Sequence, residues 1–186
     1  AIPGRGTVRI LYVLRYYPTL SETFIYREIR ELLRSHPVEI SIASLGSRQD
    51  GALQDPLPLP LFHVPRSRLA RWTARETEGS RFISAHQRPK DAARLGWLRD
   101  LADRHDLVHA HFAGEAAEFA HAIWLDRKKP YTVTVHASGL FRPRPSLETV
   151  LGGAAGVAAI SKYNQAELSE RGIASSLVRC GLDLDA

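Results

Sequence analysis

A short apolar run followed directly by an amphipathic helix pattern is the feature that most restricts how this chain can fold. Residues Val8–Leu14 read VRILYVL, the pattern of a strand covered on both faces in a parallel sheet. The apolar residues that follow recur near a spacing of 3.6, as in a helix that buries one face: Phe24, Ile25, Ile29, Leu32 and Leu33. Thr19 and Glu22 have capping-box spacing, which predicts that this helix begins near Thr19.

The same alternation of strand and helix patterns continues along the chain. The later predicted strands are Pro37–Leu45, Leu61–Val64, Leu107–Phe112, Tyr131–Val135, Gly156–Ile160 and Ser175–Arg179. The later predicted helices are Ser67–Ala85 with an interruption at Gly79-Ser80, Asp91–Arg104, Gly114–Arg127, Ser146–Leu151 and Lys162–Arg171, and His136–Pro145 is predicted to be a loop. Alternation of this kind predicts a Rossmann-like α/β fold, an open parallel sheet with helices on both faces. We expect residues 1–186 to form a single domain.

Residues directly after the strands are the first candidates for a site, because ligands of open α/β sheets bind at the carboxyl ends of the strands. The loop Tyr16–Glu22 follows the first strand. His136 ends the strand YTVTV and is followed by Ser138 and Gly139, small residues that let a ligand approach backbone amides. A histidine here could hydrogen-bond a sugar hydroxyl or transfer a proton near neutral pH, or it could cap the next turn.

Two further strands end in polar residues. His109 and His111 are two apart, so their side chains point to the same face of a strand. No Asp, Glu or Cys stands at a recognised ligand spacing from them, so no metal site is predicted; His111, with Gly114 close behind it, is placed to line a crevice. Ser161 could cap the helix that follows it or face the crevice, and capping is the favoured interpretation.

Several familiar motifs are missing. The chain has no Walker A sequence and no G-x-G-x-x-G after its first strand, so the common nucleotide-binding loops are not indicated and no cofactor is predicted. It has no G-x-S-x-G nucleophile elbow, and the lone Cys180 has no evident base beside it. A hydrolase is therefore disfavoured.

The net charge of +5 is concentrated in one segment. Arg66–Arg94 contains eight basic and three acidic residues, and the basic and acidic residues of the rest of the chain cancel. With Leu69, Trp72, Phe82 and Ile83 as apolar anchors, this segment could lie on an anionic membrane surface. Alternatively, the anchors face the core and the arginines are only solvated. A nucleic-acid partner is not predicted.

The compartment is inferred from cysteine usage and hydropathy. A lone cysteine cannot form an internal disulfide, which fits a reducing cytosol. The sequence shows no apolar run long enough to span a membrane and no signal peptide. We therefore predict a cytoplasmic location, with peripheral binding to the inner face of the membrane as an option. The chain contains no methionine, so we expect a trimmed or engineered start.

Five stretches together resemble a known family: YPTLSETFIYREIRELL, DLVHAHFAG, YTVTVHASGLF, GVAAISKYNQAEL and VRCGLDLD. Their order and spacing are similar to the N-terminal half of a family 4 retaining glycosyltransferase with the GT-B fold. The nearest likeness is to the bacterial subgroup of capsule, exopolysaccharide and colanic-acid-type enzymes. The resemblance covers essentially the whole chain apart from Gly46–Leu95.

The resemblance implies a two-domain enzyme with its active site between the domains. It implies that Gly181–Asp183 is the junction, that the C-terminal donor-binding domain is absent from these residues, and that this chain alone is inactive. The implied substrates are a nucleotide-sugar donor and a glycan or lipid-linked acceptor, and the sugar would be transferred with retention. No metal is implied, because basic groups of the second domain neutralise the leaving diphosphate in this family.

The resemblance also assigns roles to residues. It makes His136 the crevice histidine near the reacting sugar, and therefore the candidate catalytic residue. Residues at the strand ends become candidates for binding donor or acceptor: Thr19, Ser21, Glu22, His111, Gly114, Ser138, Gly139 and Ser161. The first loop departs from the family pattern, since many relatives carry glycines there to approach the diphosphate. Ser21 and the amides at the helix start would have to serve instead.

Two other functions remain open from the sequence. The chain could be a non-enzymatic Rossmann-like module that binds a ligand or a partner protein. A nucleotide-sugar epimerase or dehydrogenase is disfavoured by the missing glycine fingerprint.

Overall fold

A seven-stranded parallel sheet forms the centre of the molecule. We analysed a computed structural model, which describes residues 6–46, 57–64, 76–86 and 91–181. The strands are β1 (Val8–Leu14), β2 (Val38–Ser44), β3 (Leu61–His63), β4 (Leu107–His111), β5 (Tyr131–Val135), β6 (Gly156–Ala159) and β7 (Ser176–Leu177). Their order in the sheet is β3-β2-β1-β4-β5-β6-β7. Successive strands are added outward from β1 to β3 on one side, and β4 to β7 are then added on the other side of β1, so the strand order reverses between β1 and β4. The predicted open parallel sheet is confirmed.

Seven α-helices connect these strands in the described part of the chain. They are α1 (Thr23–Ser35), α2 (Glu78–His86), α3 (Asp91–Ala102), α4 (Glu115–Arg127), α5 (Ala137–Phe141), α6 (Leu147–Gly152) and α7 (Lys162–Glu170). A short 3-10 turn, Leu20–Glu22, precedes α1. None of the helices in the described ranges is both long enough and apolar enough to cross a membrane.

Side chains that alternate along β1 divide the core between the two faces of the sheet. Ile10, Tyr12 and Leu14 pack under α1, together with Ile25 and Ile29 of that helix. The intervening residues of β1 point to the other face, where they join a larger cluster with side chains from α2, α3, α4, α6 and from strands β2, β4, β5 and β6. Helices therefore cover both faces, as the sequence predicts.

The amino end of α1 differs from the prediction. The α-helix begins at Thr23, not near Thr19, because the 3-10 turn occupies the intervening residues. The expected capping box does not form. The Thr19 hydroxyl instead donates to Oε2 of Glu22 at 3.0 Å, and neither side chain caps a backbone amide.

Two other local predictions differ from the structure. The stretch His136–Pro145 was predicted to be a loop, but it contains the helical turn α5, which ends before Pro143. The expected break at Gly79-Ser80 falls earlier: α2 begins at Glu78, so both residues lie in its first turn, and Glu76 and Thr77 before it are not helical. A Cβ on Gly79 would meet the backbone and side chain of α4, so this glycine allows two helices to approach closely. The predicted residues Ser67–Arg75 lie outside the described part of the chain.

Candidate functional site

Two buried histidines meet at the carboxyl edge of the sheet. His111 is the last residue of β4, where it pairs with Thr134 of β5, and His136 follows β5 directly. Nδ1 of His111 lies 3.2 Å from Nε2 of His136, within hydrogen-bond distance. The two residues are 2% and 6% exposed, so the contact is shielded from water. Two predicted site residues, 25 positions apart in the chain, are thus in direct contact.

A carboxylate that the sequence analysis did not single out completes this chain of contacts. Glu28 lies on α1, and its Oε1 atom is 3.2 Å from Nε2 of His111. The same oxygen accepts a hydrogen bond from the Tyr12 hydroxyl at 2.8 Å. Glu28, His111 and His136 therefore form a continuous hydrogen-bonded chain, which we call the carboxylate–histidine chain. Its glutamate sits one helical turn beyond Phe24, on the face of α1 toward the sheet.

The surroundings set the charges of these groups. Burial alone would raise the pKa of Glu28, but the hydrogen bond and charge interaction with His111 outweigh it, aided by His109 and Tyr12, and the pKa falls to about 2. Burial lowers the pKa of His136 to about 4, and interaction with His111 contributes in the same direction. At neutral pH the site therefore holds an ionised carboxylate and a neutral His136.

Two aromatic rings pack against His136. The centroid of the Phe112 ring lies 4.4 Å from that of His136, and the Phe24 ring lies 4.7 Å from it. Phe112 adopts a left-handed backbone conformation with φ of 67°, which is unusual for a bulky residue. Its amide donates to the carbonyl of Thr134 at 2.8 Å, which offsets part of that strain. This backbone conformation accompanies the packing of Phe112 against His136.

His109 brings a third imidazole to the same place. Ligand atoms of Glu28, His109 and His111 lie within 4.8 Å of one another, a group that could hold a metal ion. The same atoms already have hydrogen-bond partners, however. Nδ1 of His109 lies 2.7 Å from the hydroxyl of Thr132, and its Nε2 is 3.3 Å from that of Thr134. The residues fit a cation by distance, but their hydrogen bonding is satisfied without one.

The small residues after β4 and β5 have different surroundings. Gly139 is buried in α5, and a Cβ on it would lie 3.0 Å from the backbone nitrogen and the Cβ of Ala113. A Cβ on Gly114 would meet no atom within 4 Å. Ser138 is exposed beside them. Gly139 therefore allows α5 to pack against the loop after β4, whereas Gly114 and Ser138 face open space at the carboxyl edge.

The first loop lies at the same edge. Thr19 is buried, Glu22 is half-buried and Ser21 is exposed. The Tyr17–Pro18 peptide bond is cis. No hydrogen bond joins Thr19, Ser21 or Glu22 to the histidine pair in the described part of the chain. The loop is linked to the histidines through Phe24, in the first turn of α1.

Ser161 has the capping geometry that the sequence favours. Its Oγ atom accepts a hydrogen bond from the amide of Asn164 at 3.1 Å, at the start of α7. The side chain of Asn164 in turn donates to the carbonyl of Val135 at 3.3 Å. This pair fixes the start of α7 against the end of β5, next to His136. Its structural role is clear, and its role toward a ligand stays a prediction.

An open groove adjoins the carboxylate–histidine chain. Its volume is about 820 Å³, and it runs along α1 to His136. Its lining includes Phe24, Glu28, Thr134 and His136 from the site, and Cys180 from the segment after β7. One side of the histidine cluster is therefore open to a concave surface.

Comparison with solved structures shows what this fold is similar to. A UDP-GlcNAc 2-epimerase from Neisseria meningitidis, bound to UDP-GlcNAc, superposes with a TM-score of 0.58 at 13% identity, over 92% of this chain and 46% of that one. A structure described as trehalose-6-phosphate from E. coli bound with UDP-2-fluoro glucose gives 0.51 at 13% identity, over 94% and 49%. An alpha-glucosyltransferase in complex with UDP-glucose and DNA gives 0.53 at 15% identity, over 96% and 44%.

Because the identities are low, these likenesses establish the fold alone. The chain spans somewhat less than half the length of each of these three proteins. A search of curated proteins finds no match. Comparison with family models is more specific, because the model of Glycosyltransferase Family 4 matches residues 21–186, including every site residue described above except Tyr12 and Thr19. On that match, the chain belongs to Glycosyltransferase Family 4.

Proposed function

We propose that this chain is the acceptor-side domain of a retaining glycosyltransferase. In this proposal, a sugar passes from a nucleotide-sugar donor to a glycan or lipid-linked acceptor in a cleft formed with a second, donor-binding domain. The observation that carries the proposal is the position of His136: buried, neutral and held by His111 at the carboxyl edge of the sheet. Family membership supplies the reaction class.

The residues of the site suit the binding of a sugar. A neutral imidazole accepts a hydroxyl hydrogen bond without attracting a counter-ion. The open positions at Gly114 and Ser138 leave room for a ligand next to the backbone. The solved neighbours in complex with UDP, UDP-GlcNAc or a UDP-glucose analogue support a nucleotide-sugar donor as the second substrate.

A donor screen on the natural full-length protein tests this proposal. We expect release of the nucleoside diphosphate with at least one nucleotide sugar in the presence of a glycan or lipid-linked acceptor, and an anomeric configuration in the product that matches the donor. His136→Ala should lower turnover about 100-fold or more. His86→Ala changes an exposed histidine on α2, on the other face of the sheet, and should leave turnover unchanged. Unchanged turnover in His136→Ala would contradict the proposal. This 186-residue chain alone should show no turnover.

Two alternatives make different predictions in the same screen. Some structural neighbours are UDP-GlcNAc 2-epimerases, so one arm should contain UDP-GlcNAc without an acceptor. Epimerised donor in that arm would favour an epimerase. Ligand binding without any turnover of donor would favour a non-enzymatic binding module.

The basic segment Arg66–Arg94 suggests where in the cell the enzyme acts. We propose that it brings a cytoplasmic enzyme to the inner face of a membrane that carries the acceptor. Much of the segment lies outside the described residues, so its charge alone supports this step. Co-sedimentation should show stronger binding to anionic than to neutral vesicles, and equal binding to both would contradict it.

A further inference from the structure

The hydrogen bonds of the carboxylate–histidine chain determine where its protons lie. The first step concerns Glu28, whose pKa of about 2 makes it a carboxylate at neutral pH. A carboxylate only accepts hydrogen bonds, so both of its neighbours must donate. The Tyr12 hydroxyl, whose pKa is raised by burial, donates at 2.8 Å, and Nε2 of His111 donates at 3.2 Å.

The second step concerns the contact between the two histidines. A His111 ring that carries a single proton, on Nε2, has a lone pair on Nδ1. That Nδ1 lies 3.2 Å from Nε2 of His136. Two lone pairs would repel at this distance, so His136 must carry its proton on Nε2 and donate to His111. The lone pair of a neutral His136 is then on Nδ1.

We propose that Glu28 and His111 are positioning residues that hold His136 as its Nε2–H tautomer, so that Nδ1 is the ring atom that accepts a hydrogen bond from a hydroxyl group of the bound sugar. The substrate half of this inference rests on the proposed function; the tautomer half does not. Through the carboxylate–histidine chain, the charge of Glu28 on α1 determines which nitrogen of His136 carries the proton. Carboxylates behind metal-bound or catalytic histidines act in the same way.

A cation at Glu28, His109 and His111 would produce the opposite arrangement. It would occupy Nε2 of His111, leave that ring's proton on Nδ1, and turn Nε2 of His136 into an acceptor. A doubly protonated His111 would also donate from Nδ1. The tautomer of His136 therefore distinguishes the proposal from both alternatives.

Long-range ¹H–¹⁵N correlation spectra of this chain, with ¹⁵N-labelled histidine, measure the tautomers directly. The spectra are recorded at pH 8 on chelator-treated protein, and the rings are assigned from the variants His111→Asn and His136→Asn. We expect the Nε2–H pattern for both His111 and His136. An Nδ1–H pattern or a charged ring at either residue would overturn the proposal. Zn²⁺ added to a second sample should leave the pattern unchanged, and a switch to Nδ1–H at His111 would assign the cluster to metal.

Two substitutions at Glu28 test its positioning role. Glu28→Gln keeps an acceptor oxygen for Tyr12 and His111, so both Nε2–H tautomers should persist. Glu28→Leu removes the acceptor, and His111 and His136 should then show mixed tautomers, with backbone amide spectra confirming the fold. A pure Nε2–H pattern in Glu28→Leu would contradict the role of Glu28. Should the leucine variant unfold, the wild-type tautomers still decide the proposal.

The last measurement separates this inference from the proposed function. In the full-length enzyme, Glu28→Leu should lower kcat by about 100-fold with KM little changed, and Glu28→Gln should restore most of the rate. A loss confined to KM would contradict positioning of a reacting group. If the tautomers are as stated but His136→Ala transfers sugar at the wild-type rate, the proposed function fails while the proton arrangement stands.

Discussion

Oε1 of Glu28 lies 3.2 Å from Nε2 of His111, although 83 positions separate the two residues in the chain. The contact joins the helix after β1 to the end of β4, which is the neighbouring strand in the sheet. The two elements meet where the strand order reverses, the place at which open α/β sheets bind ligands. The charge of the half-buried Glu28 therefore bears on both the stability of the fold and the chemistry of the site.

The first prediction concerns acid stability. The pKa of Glu28 is about 2 in the folded protein, against an ordinary value of 4.5, so the unfolded state binds more protons between these values. The stabilisation is present above about pH 4.5 and is lost as the pH falls through 2. The shift corresponds to about 3 kcal/mol, and screening of a side chain that is 32% exposed reduces this to about 2 kcal/mol.

Urea unfolding between pH 5 and pH 2.5 measures this effect. The free energy of unfolding should fall more steeply for the wild type than for Glu28→Gln, whose amide does not titrate. Glu39→Gln, a substitution at an exposed position of β2, serves as the matched control and should follow the wild type. Parallel curves for Glu28→Gln and the wild type would show that Glu28 is not held ionised by its partners.

The contact between Glu28 and His111 also shows what could be predicted from sequence. Periodicity correctly predicted the strands, because each pattern lies within one element, and the strand ends then led to the candidate histidines. Glu28 was missed because its partner lies 83 positions away, and only strand order brings β4 next to β1. No single-sequence signal encodes that order directly.

The errors elsewhere have the same origin in tertiary packing. Gly79 was predicted to interrupt a helix, but it lies in the first turn of α2, where the close approach of α4 leaves no room for a side chain. Gly139 was expected in a loop, but it allows α5 to pack against Ala113. Ser161 was interpreted correctly, since an N-cap depends on the next three residues alone.

The second prediction concerns a different pH range. Burial lowers the pKa of His136 to about 4, from an ordinary value of 6.5. The unfolded state therefore binds more protons between these values, so stability from the neutral ring is present above about pH 6.5 and is lost as the pH falls through 4. The free energy of unfolding of His136→Asn should depend less on pH between 7 and 4.5 than that of the wild type. His36→Asn, at an exposed histidine, should retain the wild-type dependence, and a flattened curve for it would point to a global charge effect.

The third prediction contrasts two glycines at the carboxyl edge. A methyl group on Gly139 would lie 3.0 Å from the backbone nitrogen of Ala113, so Gly139→Ala should cost about 1–2 kcal/mol of stability by forcing the two loops apart. Gly114→Ala meets no atom within 4 Å and should change stability by less than about 0.5 kcal/mol. Thermal unfolding of both variants measures the contrast. Equal losses would show that the two loops are not packed through Gly139.

The fourth prediction concerns the ion pair that joins α3 to α4. Oδ2 of Asp126 lies 2.8 Å from Nη1 of Arg99, and the two side chains are 2% and 9% exposed. Asp126 also accepts hydrogen bonds from the Thr77 hydroxyl and the Gly79 amide, each at 2.8 Å, which fix the start of α2. Asp126→Ala leaves a buried guanidinium without its carboxylate and should cost about 3–5 kcal/mol in urea unfolding. Asp103→Ala removes an exposed pair with Arg127 and should cost less than about 1 kcal/mol, so similar losses in the two variants would contradict the special role of burial.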